Sequence, residues 1–233
     1  MKKLLKSCCS GFLYLVLSIL LIVGVILVVH FHQTAMLESK CELPCWYGIT
    51  VGETQEDEVI EIFEQLPHAK YQFETGFINR YFNDQDNIEF WLYPGLLDYI
   101  APVQGRVIFQ ENETVFLEFS GNIGLNVQQV IDRFGEPEFV NVQPIKDLII
   151  NGANIFYPQE GLIFKVGKRF NFHKIESDSE IWSITVLEPE EFQAYVDEGS
   201  DYFEDIPRGS IFVPWSGYGE VEGKYWFPNG LEE

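Results

Sequence analysis

The chain has 233 residues, a formal net charge of −21, and 46% hydrophobic and 15% aromatic content. Lys2, Lys3 and Lys6 give the first 37 residues a charge of +3, which leaves −24 on residues 38–233. A body that acidic repels DNA and RNA, whose binding rests on cationic contacts, and its apolar content is too high for a disordered chain. The length suits one domain of about 150–200 residues or two small halves sharing a core.

From Phe12 to Val29 the chain is almost uninterrupted apolar, with Tyr14, Ser18 and Gly24 as mild exceptions. With Phe31 included, such a run as a helix reaches the hydrocarbon thickness of a bilayer, roughly 30 Å. It predicts a transmembrane signal anchor over 12–32. Lysines before it and no acid until Glu38 place residues 1–11 in the cytoplasm and the remainder outside the cell membrane, as a single-pass protein. The rival is a cleaved signal peptide, but the run is long and continues into His30-Phe31-His32-Gln33, a poor cleavage context. Cys8 and Cys9 precede the run, whereas a lipoprotein cysteine follows it.

Cys41 and Cys45 are the only cysteines after the apolar run, separated by Glu42, Leu43 and Pro44. In an oxidising compartment the expectation is a disulfide, with a small loop worth about 2 kcal/mol. Two cysteines with no neighbouring histidine are too few for a metal, and three intervening residues do not match a thioredoxin-type redox pair.

An internal repeat follows. Gly48 to Gly52 leads through Thr54 into a helix containing Val59, Ile62, Phe63 and Leu66. Gly121 to Gly124 leads through Asn126 into Val127, Val130, Ile131 and Phe134. Val59 and Phe63 match Val130 and Phe134 at a constant offset of 71. Each apolar set falls on one helical face, and Thr54 and Asn126 are N-cap candidates with Asp57 and Gln129 three residues on.

β-type runs follow each helix. The first set is Lys70–Glu74, Ile78–Asn83, Asn87–Tyr93, Val103–Gln110 and Thr114–Ser120. The second is Phe139–Val142, Leu148–Asn151, Asn154–Tyr157, Gly161–Val166 and Glu180–Leu187. The predicted class is α+β: the N-terminal transmembrane helix, then tandem helix-plus-antiparallel-sheet repeats over 41–120 and 121–188. A C-terminal helix and aromatic segment fill 189–233.

Gly124-Leu125-Asn126, Val130-Ile131, Phe134-Gly135-Glu136-Pro137, Tyr157-Pro158 and Gly161-Leu162-Ile163-Phe164 together resemble the helix-then-sheet module of the outer-membrane assembly lipoprotein family SmpA/OmlA. Two such modules in tandem resemble the fold of the β-lactamase inhibitory protein. Cys41-x-Leu-Pro-Cys45-Trp46-x-Gly48-Ile49 also looks like the start of this module in membrane-anchored bacterial proteins. The resemblance covers residues 45–188 and implies protein–protein contact without catalysis. It carries over no binding residue, because the matching positions are glycines, caps and core.

Catalytic equipment is sparse. His68 and His173 are the only histidines within residues 38–233, each in a polar loop setting, and no nucleophile elbow, zinc-protease or phosphate-loop motif occurs. Glu89 and Glu118 lie within aromatic strands as outward-facing acids, and Asp84-x-Asp86-Asn87-x-Glu89 lacks the glycine and final acid of a calcium loop. The expectation is no enzyme, cofactor or metal. The function expected is an acidic exported protein-binding domain with an envelope protein as partner. The alternative is a cell-surface protein that binds or hydrolyses carbohydrate through carboxylates and aromatics. Trp91, Tyr93, Trp215 and Tyr218 are the candidates for partner contact, since an exposed aromatic beside acids suits a basic protein or a glycan.

Overall fold

The computed structural model describes residues 14, 16–21, 23–24, 41, 43–66, 69–77, 85–92, 103–121, 123–145, 149–167, 172–190, 192, 212–222 and 224–225. The chain divides into two units, Met1–Glu38 and Ser39–Glu233.

In the first unit the described helical residues fall between Tyr14 and Gly24, with the Ser18 hydroxyl donating to the Tyr14 carbonyl at 2.9 Å. Among the described residues, no helix is long and apolar enough to cross a membrane. This overturns the transmembrane signal anchor over 12–32. The single-pass cell-membrane placement and the cytoplasmic N-terminus inferred from that anchor fall with it, and so does the bacterial envelope location. An apolar run gives composition, and composition alone does not establish a spanning helix.

In the second unit the elements are α1 (Glu56–Gln65), β1 (Ala69–Phe77), β2 (Gln85–Leu92), β3 (Val103–Gln110), β4 (Glu113–Ser120), α2 (Val127–Phe134), β5 (Phe139–Ile145) and β6 (Ile149–Tyr157). A 3-10 turn (Pro158–Glu160) leads to β7 (Leu162–Val166), β8 (Lys174–Ile175), β9 (Ile181–Leu187), β10 (Val213–Pro214) and β11 (Gly219–Glu220). The expected runs Leu148–Asn151 and Asn154–Tyr157 merge in β6, while the run at 78–83 lies outside the described residues.

Nine strands form one antiparallel sheet in the order β1-β2-β3-β4-β9-β7-β6-β5-β10, and β8 and β11 form a small second one. The unit is therefore mostly β, which corrects the expected α+β pair of tandem modules. The seam lies between β4 and β9, where Phe116 to Ser120 face Leu187 to Ser183. Alternation in sequence identifies a strand, but not the edge that it meets.

The register assigns the faces. Tyr71, Phe90, Gly105, Phe119, Ile184, Phe164, Ile155, Val140 and Val213 lie in one row across all nine strands. Both helices pack on this face: Phe63 of α1 meets Phe90 and Tyr71, and Phe134 of α2 meets Phe164 and Tyr157. Gly105 is required where it stands, since a Cβ there would lie 2.3 Å from both the Glu118 carbonyl and the Phe90 ring.

Trp46 is buried on the same face, stacked on Phe90 and Phe119 at centroid distances of 5.1 and 4.9 Å. The Cys41–Cys45 disulfide lies just before it, with α-carbons 5.6 Å apart. The opposite face holds a second apolar cluster of Ile108, Phe116, Phe156, Ile163 and Leu187, with Phe192 in it and Phe212 against it. Segments after β9 and before β10 thus contribute to that core.

The N-caps differ from one another. Asn126 caps α2 as its sequence suggests, accepting from the Gln129 amide at 2.9 Å, while its own amide donates to Gln129 Oε1 at 3.0 Å. At α1 the cap is Gln55 and not Thr54. Thr54 Oγ1 instead accepts from the Thr50 amide at 2.8 Å, so its hydroxyl closes the preceding turn.

Candidate functional site

The aromatic candidates separate into two regions and one position without description. Trp91 is half-buried on β2, in register with Lys70 and Gln104 on the face opposite the helices. Trp215 follows β10, near the other end of the sheet, so at about 4.8 Å per strand the two stand roughly 30 Å apart. Tyr93 lies outside the described residues. Among the described candidates, the structure brings together only Trp215 and Tyr218.

Their placement is built from the C-terminal segment. The Trp215 amide donates to the Glu138 carbonyl at 3.1 Å, and β11 pairs with β8, fixing the chain at both ends. Between these points the Trp215 ring stacks on buried Tyr225 at 5.8 Å and 15°, and meets Tyr218 edge to face at 5.8 Å and 86°. Lys224 sits 5.4 Å from the Tyr225 ring centroid and donates to the carbonyls of Gly217 at 2.9 Å and Tyr218 at 2.8 Å. Each such contact removes freedom from the turn, so the aromatic pair is presented on a fixed scaffold.

Helix α2 supplies the polar half. Tyr218 is 38% exposed, and its hydroxyl donates to Gln128 Oε1 at 2.8 Å. Gln128 Nε2 in turn donates to Asp132 Oδ1, also at 2.8 Å. Burial, followed by the charges of Asp132 and Glu136, raises the Tyr218 pKa. Both acids are exposed.

Nearby, Tyr157 donates to the Gly135 carbonyl at 2.9 Å, holding the loop that carries Glu136. Its phenol is also pushed up, first by burial and then by Glu160, Tyr218 and Glu136. The result is two aromatic rings, one half-buried and one exposed, beside two carboxylates. Chemically this arrangement favours a cation: the carboxylates supply charge, and the ring faces attract ammonium or guanidinium groups.

Gln128, Asp132 and Glu136 were not among the sequence candidates. Their spacing at i, i+4 and i+8 marks one polar stripe from α2 into its exit, but no local pattern links residue 128 to residue 218.

The remaining acids lie elsewhere. Glu89 is paired with Arg106 at 3.2 Å, and Glu118 Oε1 accepts from Ser183 Oγ at 3.2 Å, both on the face opposite the helices. His173 is exposed and its carbonyl accepts from the Val221 amide, while His68 lies outside the described residues. No group of three or more His, Cys, Asp or Glu among the described residues is placed to hold a metal ion. No family model, curated protein or solved structure matches the chain.

Proposed function

We propose that the Ser39–Glu233 unit is a non-enzymatic protein-binding domain whose face at Trp215, Tyr218, Asp132 and Glu136 holds a Lys- or Arg-containing segment of another protein. The observation that carries this reading is the exposed Tyr218 ring, set edge-on to Trp215 and within the field of two exposed carboxylates. The net charge of −24 on residues 38–233 speeds the approach of a basic partner and repels an acidic one. Aromatic rings held by Lys224 and Tyr225 lose little freedom on binding, which favours them as contact anchors.

The test is fluorescence anisotropy with a panel of Lys/Arg-rich peptides and the full chain, at about 0.15 M salt, where the Debye length is about 8 Å. Asp132→Asn combined with Glu136→Gln should weaken binding at least roughly 10-fold, as expected for losing two charged contacts. Glu53→Gln combined with Glu58→Gln removes as much charge from the start of α1 and should leave binding nearly unchanged. Equal loss in the two doubles would mean diffuse attraction to an acidic surface, and the site would be rejected. Retention of an uncharged glycan, lost with Trp215→Ala but kept in the Asp132/Glu136 double, would support the carbohydrate reading instead.

A further inference from the structure

The Cys41–Cys45 bond lies against a turn that treats its two sulfurs differently. Trp46 and Ile49 close that turn by two main-chain bonds, the Trp46 amide donating to the Ile49 carbonyl at 2.9 Å and the Ile49 amide to the Trp46 carbonyl at 2.8 Å. Tyr47 and Gly48 between them both take left-handed backbone, with φ of 51° and 96°, as a two-residue hairpin turn requires. Trp46 and Ile49 are buried, so the turn is anchored in the core. The Gly48 amide is left outside the turn's own pairing and donates to Cys41 Sγ at 3.2 Å. Among the described residues, no amide donates to Cys45 Sγ. Neither cysteine is buried, and Pro44 between them is exposed.

An N–H aimed at sulfur favours the thiolate over the thiol. In thiol–disulfide exchange the sulfur whose thiolate is better stabilised leaves faster, and the attacking thiolate bonds to the other one. We propose that Cys41–Cys45 is a thiol-exchange site, opened by a small dithiol that attacks Cys45 Sγ while Cys41 leaves onto the Gly48 amide.

The incoming thiolate bonds to Cys45 Sγ, the bond to Cys41 breaks, and its electron pair goes to Cys41 Sγ. The second sulfur of the dithiol then attacks the first, expelling Cys45 as a thiolate. The dithiol is oxidised to a cyclic disulfide and the protein disulfide is reduced by two electrons. The two protons that the dithiol gives up end on Cys41 and Cys45. The Gly48 donor does not depend on the bond, since the turn is closed by its own main-chain groups and held by Trp46 and Ile49. The exchange uses no residue of the Trp215 face, so it and the binding reading stand or fall separately.

The full chain in a Cys8→Ser/Cys9→Ser background leaves only this pair to react with thiol reagents. Dithiothreitol should open the bond in the folded chain without denaturant. Glutathione, a monothiol that stops at the first step, should be found on Cys45 over Cys41 by roughly 3 to 1 or more, after a quench with excess N-ethylmaleimide and peptide mapping. Single-thiol variants in the same background give a reading that needs no trapped adduct. At neutral pH iodoacetamide should modify Cys41 in Cys45→Ser roughly 3-fold or more faster than Cys45 in Cys41→Ser. In denaturing urea the two rates should converge, because the turn that presents the Gly48 amide is lost. A bond that opens only in urea overturns the proposal, as does glutathione shared equally or carried mostly by Cys41. Equal alkylation rates in the folded variants, or a preference for Cys41 that persists in urea, overturn it as well.

Discussion

Replacing Trp46 by alanine should remove a large share of the stability of the Ser39–Glu233 unit. The indole is 3% exposed, lies between the rings of Phe90 and Phe119, and meets Tyr47 edge to face at 4.9 Å. A buried tryptophan takes about 150–250 Å² out of water, which at about 25 cal/mol per Å² is roughly 4–6 kcal/mol. Residual burial in the unfolded chain lowers this to about 3–5 kcal/mol, the range found for large aromatic truncations. The Trp46–Ile49 bridge is made by main-chain groups at 2.8 and 2.9 Å and survives the substitution, so the loss reports the ring. Trp46→Phe keeps part of the stack and should cost about 1–2 kcal/mol. Urea unfolding followed by far-ultraviolet circular dichroism measures both without relying on the lost fluorophore. A loss below about 1 kcal/mol for alanine, against that 3–5 kcal/mol expectation, would refute the placement of the ring between Phe90 and Phe119.

Breaking the Cys41–Cys45 bond, at a sequence separation of 4, should cost about 2 kcal/mol, read as a lower urea midpoint for the Cys41→Ser/Cys45→Ser double or under reductant. No change in midpoint would show that the loop is equally constrained without the bond. Gly161 closes the 3-10 turn at φ +64, where a Cβ would lie 2.0 Å from the Leu187 carbonyl. Gly161→Ala should therefore destabilise by about 1–3 kcal/mol, and a thermal melt within error of wild type would exclude that approach. Asn126→Ala removes the α2 cap and should cost about 1 kcal/mol, whereas Asn126→Asp or Asn126→Ser should recover most of it. Tyr157 titrates above its ordinary value in the folded chain because burial and Glu160 disfavour the phenolate. Its stabilising contribution is thus complete below the unfolded tyrosine pKa of about 10 and is lost as pH rises from there towards the folded value. Alkaline unfolding curves of wild type and Tyr157→Phe should converge above that pH; a constant gap would contradict the assignment.

The legible parts of this fold are those that local chemistry dictates. Val127, Val130, Ile131 and Phe134 repeat at helical spacing, and Asn126 with Gln129 gives a capping box that needs no tertiary information. Alternation in Val115 to Phe119 likewise specifies a strand with Leu117 and Phe119 turned towards the helices. Thr54 misleads as a cap because the same hydroxyl can serve the turn before the helix or the helix itself, and the turn wins. Long-range choices are not encoded locally. Nothing in Phe116 to Ser120 announces pairing with Ser183 to Leu187, and the two halves merge for that reason into one sheet. The site follows the same rule: Trp215 and Tyr218 are visible as aromatics near acids, while their link to Gln128 and Asp132 spans 90 residues between Gln128 and Tyr218.

The join between the halves also sets which strands stand at the ends of the sheet. The cap residue of each helix bridges to the start of the last strand in its own half, Gln55 to Glu113 and Asn126 to Glu180. Each helix is thereby tied to β4 or β9, the two strands that meet at the seam. At the centre of the unit, helix, cap and both seam strands therefore act on one another. The strands farthest from it, β1 and β10, have a neighbour on one side only among the described residues. Edges with few internal contacts open first and accept partners most readily. Native-state hydrogen exchange should accordingly protect amides of Phe116 to Ser120 and Ser183 to Leu187 longest, with those of β1 exchanging much faster. Uniform protection across the nine strands would show that stability is not graded from the seam outward. It would remove the physical reason for placing binding at the ends.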